Sequence, residues 1–219
     1  MEARGLPAAV LAAAGDRGGG ALEVAATALD GLLEVADDPP LLERSVTALL
    51  AGQPAMAPIW HLARAARAPD PAATLAALRH DVTTDADAAV TAATSWLRSH
   101  LATGGAVATV SHSSLVDRVL ARVGPRSAPG DPVVGVAGAD AIGPGALLNA
   151  VGTRELVGRV PTLVVATAVK LVPEEVFGRL GGAGFEAVPL EALAAVVVGA
   201  EVLSPADAGR RARDLAPPA

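Results

Sequence analysis

An α/β protein, with an all-helical front half and a parallel sheet behind it, is what this sequence predicts, on three observations. From about residue 6 to residue 101 the apolar residues recur with a helical period, and Gly, Pro and Asp clusters separate the runs. After Gly104-Gly105 the pattern changes to short β-rich runs: Ala106–Val110, Val133–Val136, Thr162–Ala166 and Ala194–Val198. Segments with helical spacing lie between those runs, and such alternation favours parallel strands joined by crossover helices. The expected division is a helical domain over 1–102 and an α/β domain over 103–219.

Taken in order, Leu6–Ala14 reads as a short first helix. The glycine-dense loop 15–20 leads into a second, residues 21–36, where Leu22, Ala25, Leu29 and Leu32 share a face. Asp37-Asp38-Pro39-Pro40 stops it and starts a third, Leu41–Ala51, with proline in its first turn. Gly52-Gln53-Pro54 opens another, to about Arg67. Asp70 caps a helical region over 72–101, with a break expected near Val82-Thr83-Thr84-Asp85, where Thr84 or Asp85 offers a new cap. In the second half a helix over Leu115–Val123 follows the first strand, and 124–132 is a Pro/Gly loop. Gly143-Pro144-Gly145 requires a turn, and Asn149 or Thr153 offers the N-cap of a helix to about Arg159. Pro173 sits in the first turn of a helix to about Leu180. Gly181-Gly182-Ala183-Gly184 is a turn, Phe185–Val188 is extended, and Ser204-Pro205 begins a tail helix to about Leu215.

Bulk composition removes several functions. The 219 residues carry a formal charge of −6 and are 52% hydrophobic, yet only 2% aromatic. The core must be Ala, Val and Leu; Trp60 and Trp96, on helical faces, are expected to join it. With no stacking platform and no basic cluster, direct nucleic-acid binding is not expected. The absence of Cys removes disulfides, thiolate metal sites and thiol catalysis together. His61, His80 and His100 have no ligand-like spacing, so neither metal nor cofactor is expected. No apolar run reaches membrane-spanning length and the first residues lack a signal pattern, so the expected location is the cytoplasm.

Candidate site residues gather where strands end. In an open parallel sheet ligands sit beyond the carboxyl ends of the strands, and Asp140, Asn149, Thr153 and Lys170 fall in or near that zone. Arg17 is a cation on a loop whose glycines, Gly18, Gly19 and Gly20, allow close approach of an anion. Ser111, Ser113 and Ser114 lie on a loop entering a helix, where hydroxyls and helix amides make an anion site. Taken singly, Arg17 is equally a solvated loop charge and the serines a helix cap.

These residues also carry a family resemblance. Gly138-Ala139-Asp140, Gly145 and Asn149-x-x-Gly152-Thr153 resemble the Gly-Ala-Asp…Gly…Asn-Lys-x-Gly-Thr signature of the translation initiation factor 2B alpha/beta/delta family, with Ala150 in the lysine position. The metabolic relatives are methylthioribose-1-phosphate isomerase and ribose-1,5-bisphosphate isomerase. Arg17-Gly18-Gly19-Gly20 is similar to the family's Arg-Gly-Ala-Gly segment, and Gln53-Pro54-Ala55-Met56-Ala57-Pro58 to its Arg-Pro-Ser-Met-Ala-Pro, with Gln53 for Arg. Ser111-His112-Ser113 resembles Thr-His-Ser or Thr-His-Cys, and 165–170 resembles Val-Ala-Ala-Pro-Thr-Lys. The matches run in order from residue 17 to about 205.

The resemblance implies a Rossmann-like sheet and a sugar-phosphate or nucleotide-phosphate pocket between the two domains, lined by the matched residues. It implies assembly as well, and a homodimer is expected. In the isomerases the aspartate at position 140 works with a cysteine to move protons; here Ser113 holds the cysteine's place. A serine needs an activating partner, His112 beside it points the other way, and there is no Gly-x-Ser-x-Gly elbow. Asp140 is therefore read first as an acceptor of ligand hydroxyls or a loop cap, and second as the acid/base of an aldose–ketose isomerase. The family's strand–helix–strand unit with its Glu-Thr/Ser-Arg-Pro motif is missing between Val123 and Val133, so fewer strands are expected, about four. One pocket wall is then absent or rebuilt by Arg126, and Ala106–Val110 becomes an edge covered by the helical domain or a second subunit. The leading expectation is a regulatory or non-catalytic phosphate binder; the alternatives are the isomerase and a structural oligomer with a vestigial pocket.

Overall fold

Five helices come first: α1 (Ala8–Gly15), α2 (Ala21–Glu34), α3 (Pro39–Gly52), α4 (Ala57–Ala66) and α5 (Pro71–His100). The computed structural model describes residues 5–101, 105–110, 113–124 and 132–215. Ser111, His112, Gly104 and Arg126 lie outside the described residues. Helices α1 to α4 and the start of α5 bury one Leu/Val/Ala cluster that includes Leu29, Leu32, Leu49, Ile59 and Leu75. The caps follow the sequence: Asp38 accepts from Leu41 N at the start of α3, and Asp70 accepts from Ala73 N at the start of α5. α4 begins three residues after Pro54, with Pro58 in its first turn.

The break expected near Thr83–Asp85 does not occur; α5 is one 30-residue helix. Thr83 and Thr91 return their hydroxyls to the carbonyls of Arg79 and Asp87, four residues back, which lets threonine sit inside a helix. Asp85 is no cap of α5 but reaches sideways to the amide of Ala168. The helix also serves both halves: Leu75 belongs to the helical cluster, whereas Ala89, Val90, Ala93 and Leu97 pack on the sheet.

The second half runs β1 (Ala106–Thr109), α6 (Ser114–Val123), β2 (Pro132–Ala137), β3 (Ala141–Ile142), β4 (Ala146–Ala150), α7 (Thr153–Arg159) and β5 (Thr162–Ala166). A 3-10 turn, Ala168–Lys170, follows, then α8 (Glu174–Phe177), β6 (Phe185–Pro189), a second 3-10 turn, Leu190–Ala192, β7 (Ala195–Val198), β8 (Glu201–Leu203) and α9 (Pro205–Arg213). The main sheet has the order β1-β2-β5-β7-β8, parallel except for the antiparallel edge β8. The protein is thus α/β with four parallel strands, and β1 is an edge that pairs only with β2 among the described residues. Nothing in the described part pairs with its outer side.

Three expectations are corrected here. The segment 141–150 forms a hairpin around Gly143-Pro144-Gly145, and β3, β4 and β6 make a second, antiparallel sheet. Asn149 lies in β4, so neither it nor Thr153 caps α7; Gly152 does, with φ of +103°. α8 is one turn long, with Pro173 as its N-cap rather than inside it. The tryptophans differ too, since Trp60 and Trp96 are half-buried at the rims of clusters rather than inside them.

The faces of the sheet are unequally made. Val134, Val136, Leu163 and Val165 point to the side covered by α5 and α6. The opposite side takes α9 and α7, where Leu156 of α7 lies over Gly135 and a methyl on that glycine would come 3.1 Å from it. Two successive crossovers, β1–α6–β2 and β2–α7–β5, therefore step the same way across the sheet with their helices on opposite faces. They have opposite hands, and one is left-handed, although about 98% of such connections are right-handed.

Candidate functional site

At the carboxyl ends of β2 and β5 the main sheet meets the loops of the helical half around a cavity of about 560 Å³. That volume is in the range of small-molecule sites. Because β1 is an edge, the strand order never reverses and there is no crevice between two half-sheets. The far wall is supplied instead by the α1–α2 loop and the α3–α4 loop.

Two helix N-termini converge there. Gly20 ends the α1–α2 loop, and a methyl on it would lie 3.8 Å from the amide nitrogen of Ser114, the first residue of α6. Gly20 has no side chain with which to cap α2, and among the described residues no side chain is found accepting from the amides of Ala21 and Leu22, two residues that line the cavity. Ser113 caps α6 through a long 3.5 Å bond from Val116 N, and Ser114 and Leu115, the first residues of α6, line the same space. Both helix dipoles put their positive ends at this point. Gly138 makes room for the arrangement, because a methyl on it would sit 2.8 Å from Ser113 Oγ. Gly138→Ala is expected to displace the Ser113 cap and destabilise the fold by about 1–2 kcal/mol. A urea melt reads the loss, and an unchanged midpoint would show that Ser113 yields freely.

The glycine amides themselves are engaged. Asp16 Oδ1 accepts from Gly18 N and Gly19 N at 2.8 Å each, and Glu23 accepts from Gly20 N. The amides of Gly19 and Gly18 hold the Asp16 carboxyl below its ordinary pKa. Arg17 is exposed and folds back, its Nη1 donating to Ala14 O and Asp16 O. Gln53 is buried, and its Nε2 donates to Ala13 O and Asp16 O at 2.7 Å each. Arg17 and Gln53 thus close the end of α1, and both line the cavity.

The floor carries opposite charges. Lys170 is 4% exposed and lines the cavity; its backbone N–H donates to Thr167 O at 3.0 Å, and its ammonium makes no hydrogen bond among the described residues. Burial pushes its pKa down to about 8, against the attraction of Asp140. Burial raises the pKa of Asp140, against the attraction of Lys170. The Asp140 carbonyl accepts from Ala57 N, tying the strand end to the start of α4. Asp85 accepts from Ala168 N and so fixes the turn that presents Lys170. Asn149 is buried at the cavity wall, its Nδ2 donating to Thr153 Oγ1, which in turn donates to Ala150 O.

Most of the residues singled out from the sequence therefore share one cavity: Arg17 to Gly20, Gln53, Ser113, Ser114, Asp140, Asn149 and Lys170. Gly152 and Thr153 do not line it. Thr153 stands behind Asn149, and Glu186 accepts from the amides of Gly152 and Arg154, filling the N-terminus of α7. Sequence reasoning missed Asp16, although Asp-x-Gly-Gly is the spacing of a side-chain-capped turn. It also missed the wall formed by 181–184, where Gly181, Gly182 and Gly184 all have positive φ. Asp85 gave no signal, because its partner lies 83 residues away. Among the described residues no group of three His, Asp or Glu side chains is placed to hold a metal.

No family model matches the sequence, and no curated protein matches it. Solved structures do. The translation initiation factor eIF-2B of Pyrococcus horikoshii OT3 superposes with a TM-score of 0.68 at 14% identity, over 90% of this chain and 96% of that one. A chain of the tetrameric eIF2B-beta2-delta2 complex from C. thermophilum gives 0.67 at 13% identity, over 94% and 92%. The 5-methylthioribose 1-phosphate isomerase of Pyrococcus horikoshii OT3 gives 0.58 at 12% identity, over 95% and 87%. The chain has the fold shared by the subunits of translation initiation factor eIF-2B and by 5-methylthioribose 1-phosphate isomerase.

Proposed function

We propose that this chain is an initiation factor 2B-like protein that binds the phosphate of a sugar phosphate or nucleotide between its helical domain, 1–102, and its α/β domain, 103–219, without isomerase turnover. The observation that carries the reading is the convergence of the α2 and α6 N-termini on a cavity whose floor holds a buried Lys170, its ammonium without a hydrogen-bond partner among the described residues. Helix N-terminal amides and helix dipoles suit a phosphate dianion, and Arg17 adds charge at the mouth. Asp140 and Asn149 then face the hydroxyls of the sugar. Proton shuttling between adjacent carbons needs a second group, and the position of the isomerase cysteine is occupied by Ser113, whose Oγ accepts from Val116 N.

The test is calorimetry with inorganic phosphate, ribose 5-phosphate, ribose 1,5-bisphosphate and methylthioribose 1-phosphate, followed by assay for a ketose. Binding is expected to raise the melting temperature, by about 2.7 kcal/mol of added stability at a hundredfold excess over Kd, with no ketose formed. Arg17→Ala is expected to weaken binding severalfold and to flatten its dependence on salt, since an exposed guanidinium is screened. If no phosphate compound raises the melting temperature and Arg17→Ala changes nothing, the pocket is vestigial and the protein a structural oligomer. A ketose product that disappears in Asp140→Asn would instead make it an isomerase. The same reading includes a homodimer in the cytoplasm; sedimentation at the monomer mass would remove the dimer. Among the described residues no helix is long and apolar enough to cross a membrane.

A further inference from the structure

Lys170 is the only lysine in the sequence; the other 16 cationic side chains are arginines. A guanidinium stays charged at any working pH and is no nucleophile, whereas an ε-amine that sheds its proton attacks carbonyls. Among the described residues this lysine is also the one buried cation, 4% exposed, and it lines the cavity with no hydrogen bond to hold its ammonium. Apolar groups of Ala139, Met56 and Val165 line the space with it, and Asp140 is the acid whose charge it feels. The first residues of α2 and of α6 line the same cavity.

From this placement we infer that Lys170 forms a reversible imine with the open-chain aldehyde of a phosphorylated small molecule whose phosphate sits at the α2 and α6 N-termini. The inference rests on the phosphate-binding reading above. The lone pair of the ε-amine adds to the carbonyl carbon, giving a carbinolamine. Asp140 in its acid form gives a proton to the carbinolamine hydroxyl, which leaves as water as the C=N bond forms. Addition of water reverses the sequence and returns amine and aldehyde. Nothing is oxidised or reduced, and no co-reactant is needed. With the pKa lowered to about 8, roughly a tenth of Lys170 is neutral at pH 7, enough to supply the attacking form, and burial raises the pKa of Asp140, which favours its acid form.

The probe is glycolaldehyde phosphate, which carries both groups and cannot close a ring, with sodium borohydride to reduce the imine to a stable secondary amine. Mass spectrometry of the whole chain and its peptides reads the adduct, with the α-amine of the N-terminus as internal standard. Labelling is expected at Lys170 at least tenfold faster than at the α-amine, to be slowed by inorganic phosphate, to be weak with unphosphorylated glycolaldehyde, and to slow in Asp140→Asn. Lys170→Arg and Lys170→Met should be labelled at the α-amine alone, and the second serves if the bulkier guanidinium prevents folding. Equal labelling of both amines overturns the inference. So does absence of an adduct while inorganic phosphate still raises the melting temperature, and that result leaves the phosphate-binding reading standing. Rapid labelling of Lys170 by glycolaldehyde, indifferent to phosphate, would retain the amine chemistry and sink the phosphate site.

Discussion

Lys170→Met is expected to raise the melting temperature while lowering the affinity for inorganic phosphate by tenfold to a hundredfold. Folding takes the Lys170 pKa from 10.5 to about 8, because the burial penalty on the ammonium exceeds the attraction of Asp140. A group whose folded pKa is depressed favours its deprotonated state in the fold, so its contribution is present above 10.5 and lost as the pH falls through 8. At pH 7 the cost of keeping the ammonium enclosed is of order 3 kcal/mol. Methionine fills the same volume without a charge, and Asp140, already raised by burial, takes up a proton more readily once its partner is gone. For a chain of this length that relief amounts to roughly 6–12 °C. Removing a charge-assisted contact to phosphate loses about 1.5–3 kcal/mol of binding, hence the opposite change in affinity. Two further signatures belong to the wild type alone: stability that climbs between pH 8 and 10.5, and proton uptake near pH 8 when phosphate binds and restores the ammonium. A variant that melts lower and binds phosphate as before would show that Lys170 is a structural cation.

The site was more legible in the sequence than the sheet was. Arg17, Ser113, Asp140 and Lys170 are spread over 154 positions, yet each stands beside glycines or at the end of a β-branched run, and those local marks placed them correctly at loops on one side. What the residues do inside the loops was not legible. Gln53 bonds two carbonyls of the α1 end, and Asp16 takes the amides of Gly18 and Gly19, because a carboxylate two and three residues away reaches both. The hairpin β3–β4 was hidden for a different reason. Ala141-Ile142 and Ala146–Ala150 are too short and too poor in β-branched residues to outweigh a reading of loop and helix; their strand state comes from pairing with each other and of β4 with β6, about 40 residues on.

The opposed crossovers give the missing strand–helix–strand unit a structural counterpart. Suppose the unit once lay beyond β1, so that α6 led outward from β1 to it. Right-handedness would then place α6 on the face where it now packs with α5. Deleting the unit and joining α6 to β2 reverses the direction of travel but not the face, and the connection becomes left-handed. Such a connection is unfavourable to form from nothing, since a right-twisted strand feeds a helix back onto its sheet with the other hand. α6 keeps its place because Leu115, Val116 and Val119 are already buried against α5 and the sheet. The N-terminus of α6, and with it half of the proposed phosphate site, is retained by the same burial.

His61 is expected to make the fold lose stability between pH 6.5 and pH 4. Its Nε2 bonds the carbonyl of Leu171 at 2.8 Å, and the neutral ring must be the donor. Burial pushes its pKa down to about 4, outweighing the help of the Leu171 carbonyl, with the nearby Arg64 adding to the depression. The contribution is complete above 6.5, and as the pH falls the unfolded chain takes up a proton that the folded chain refuses. The accumulated loss approaches about 3 kcal/mol near pH 4 and then levels off. The named carboxylates do not produce this window. Asp16, Glu43 and Glu201 have lowered pKa values and lose their stabilisation below the ordinary carboxylate range, while the raised pKa of Asp140 acts in the opposite sense. His61→Gln keeps an N–H for Leu171 without a titrating ring, so urea midpoints measured at pH 7 and pH 4.5 should differ far less in the variant than in the wild type. Because Leu171 directly follows the turn that presents Lys170, phosphate affinity should decline over the same interval, and more steeply than in His61→Gln. Parallel pH profiles for the two proteins would remove His61 as the cause and leave the acid sensitivity to the carboxylates.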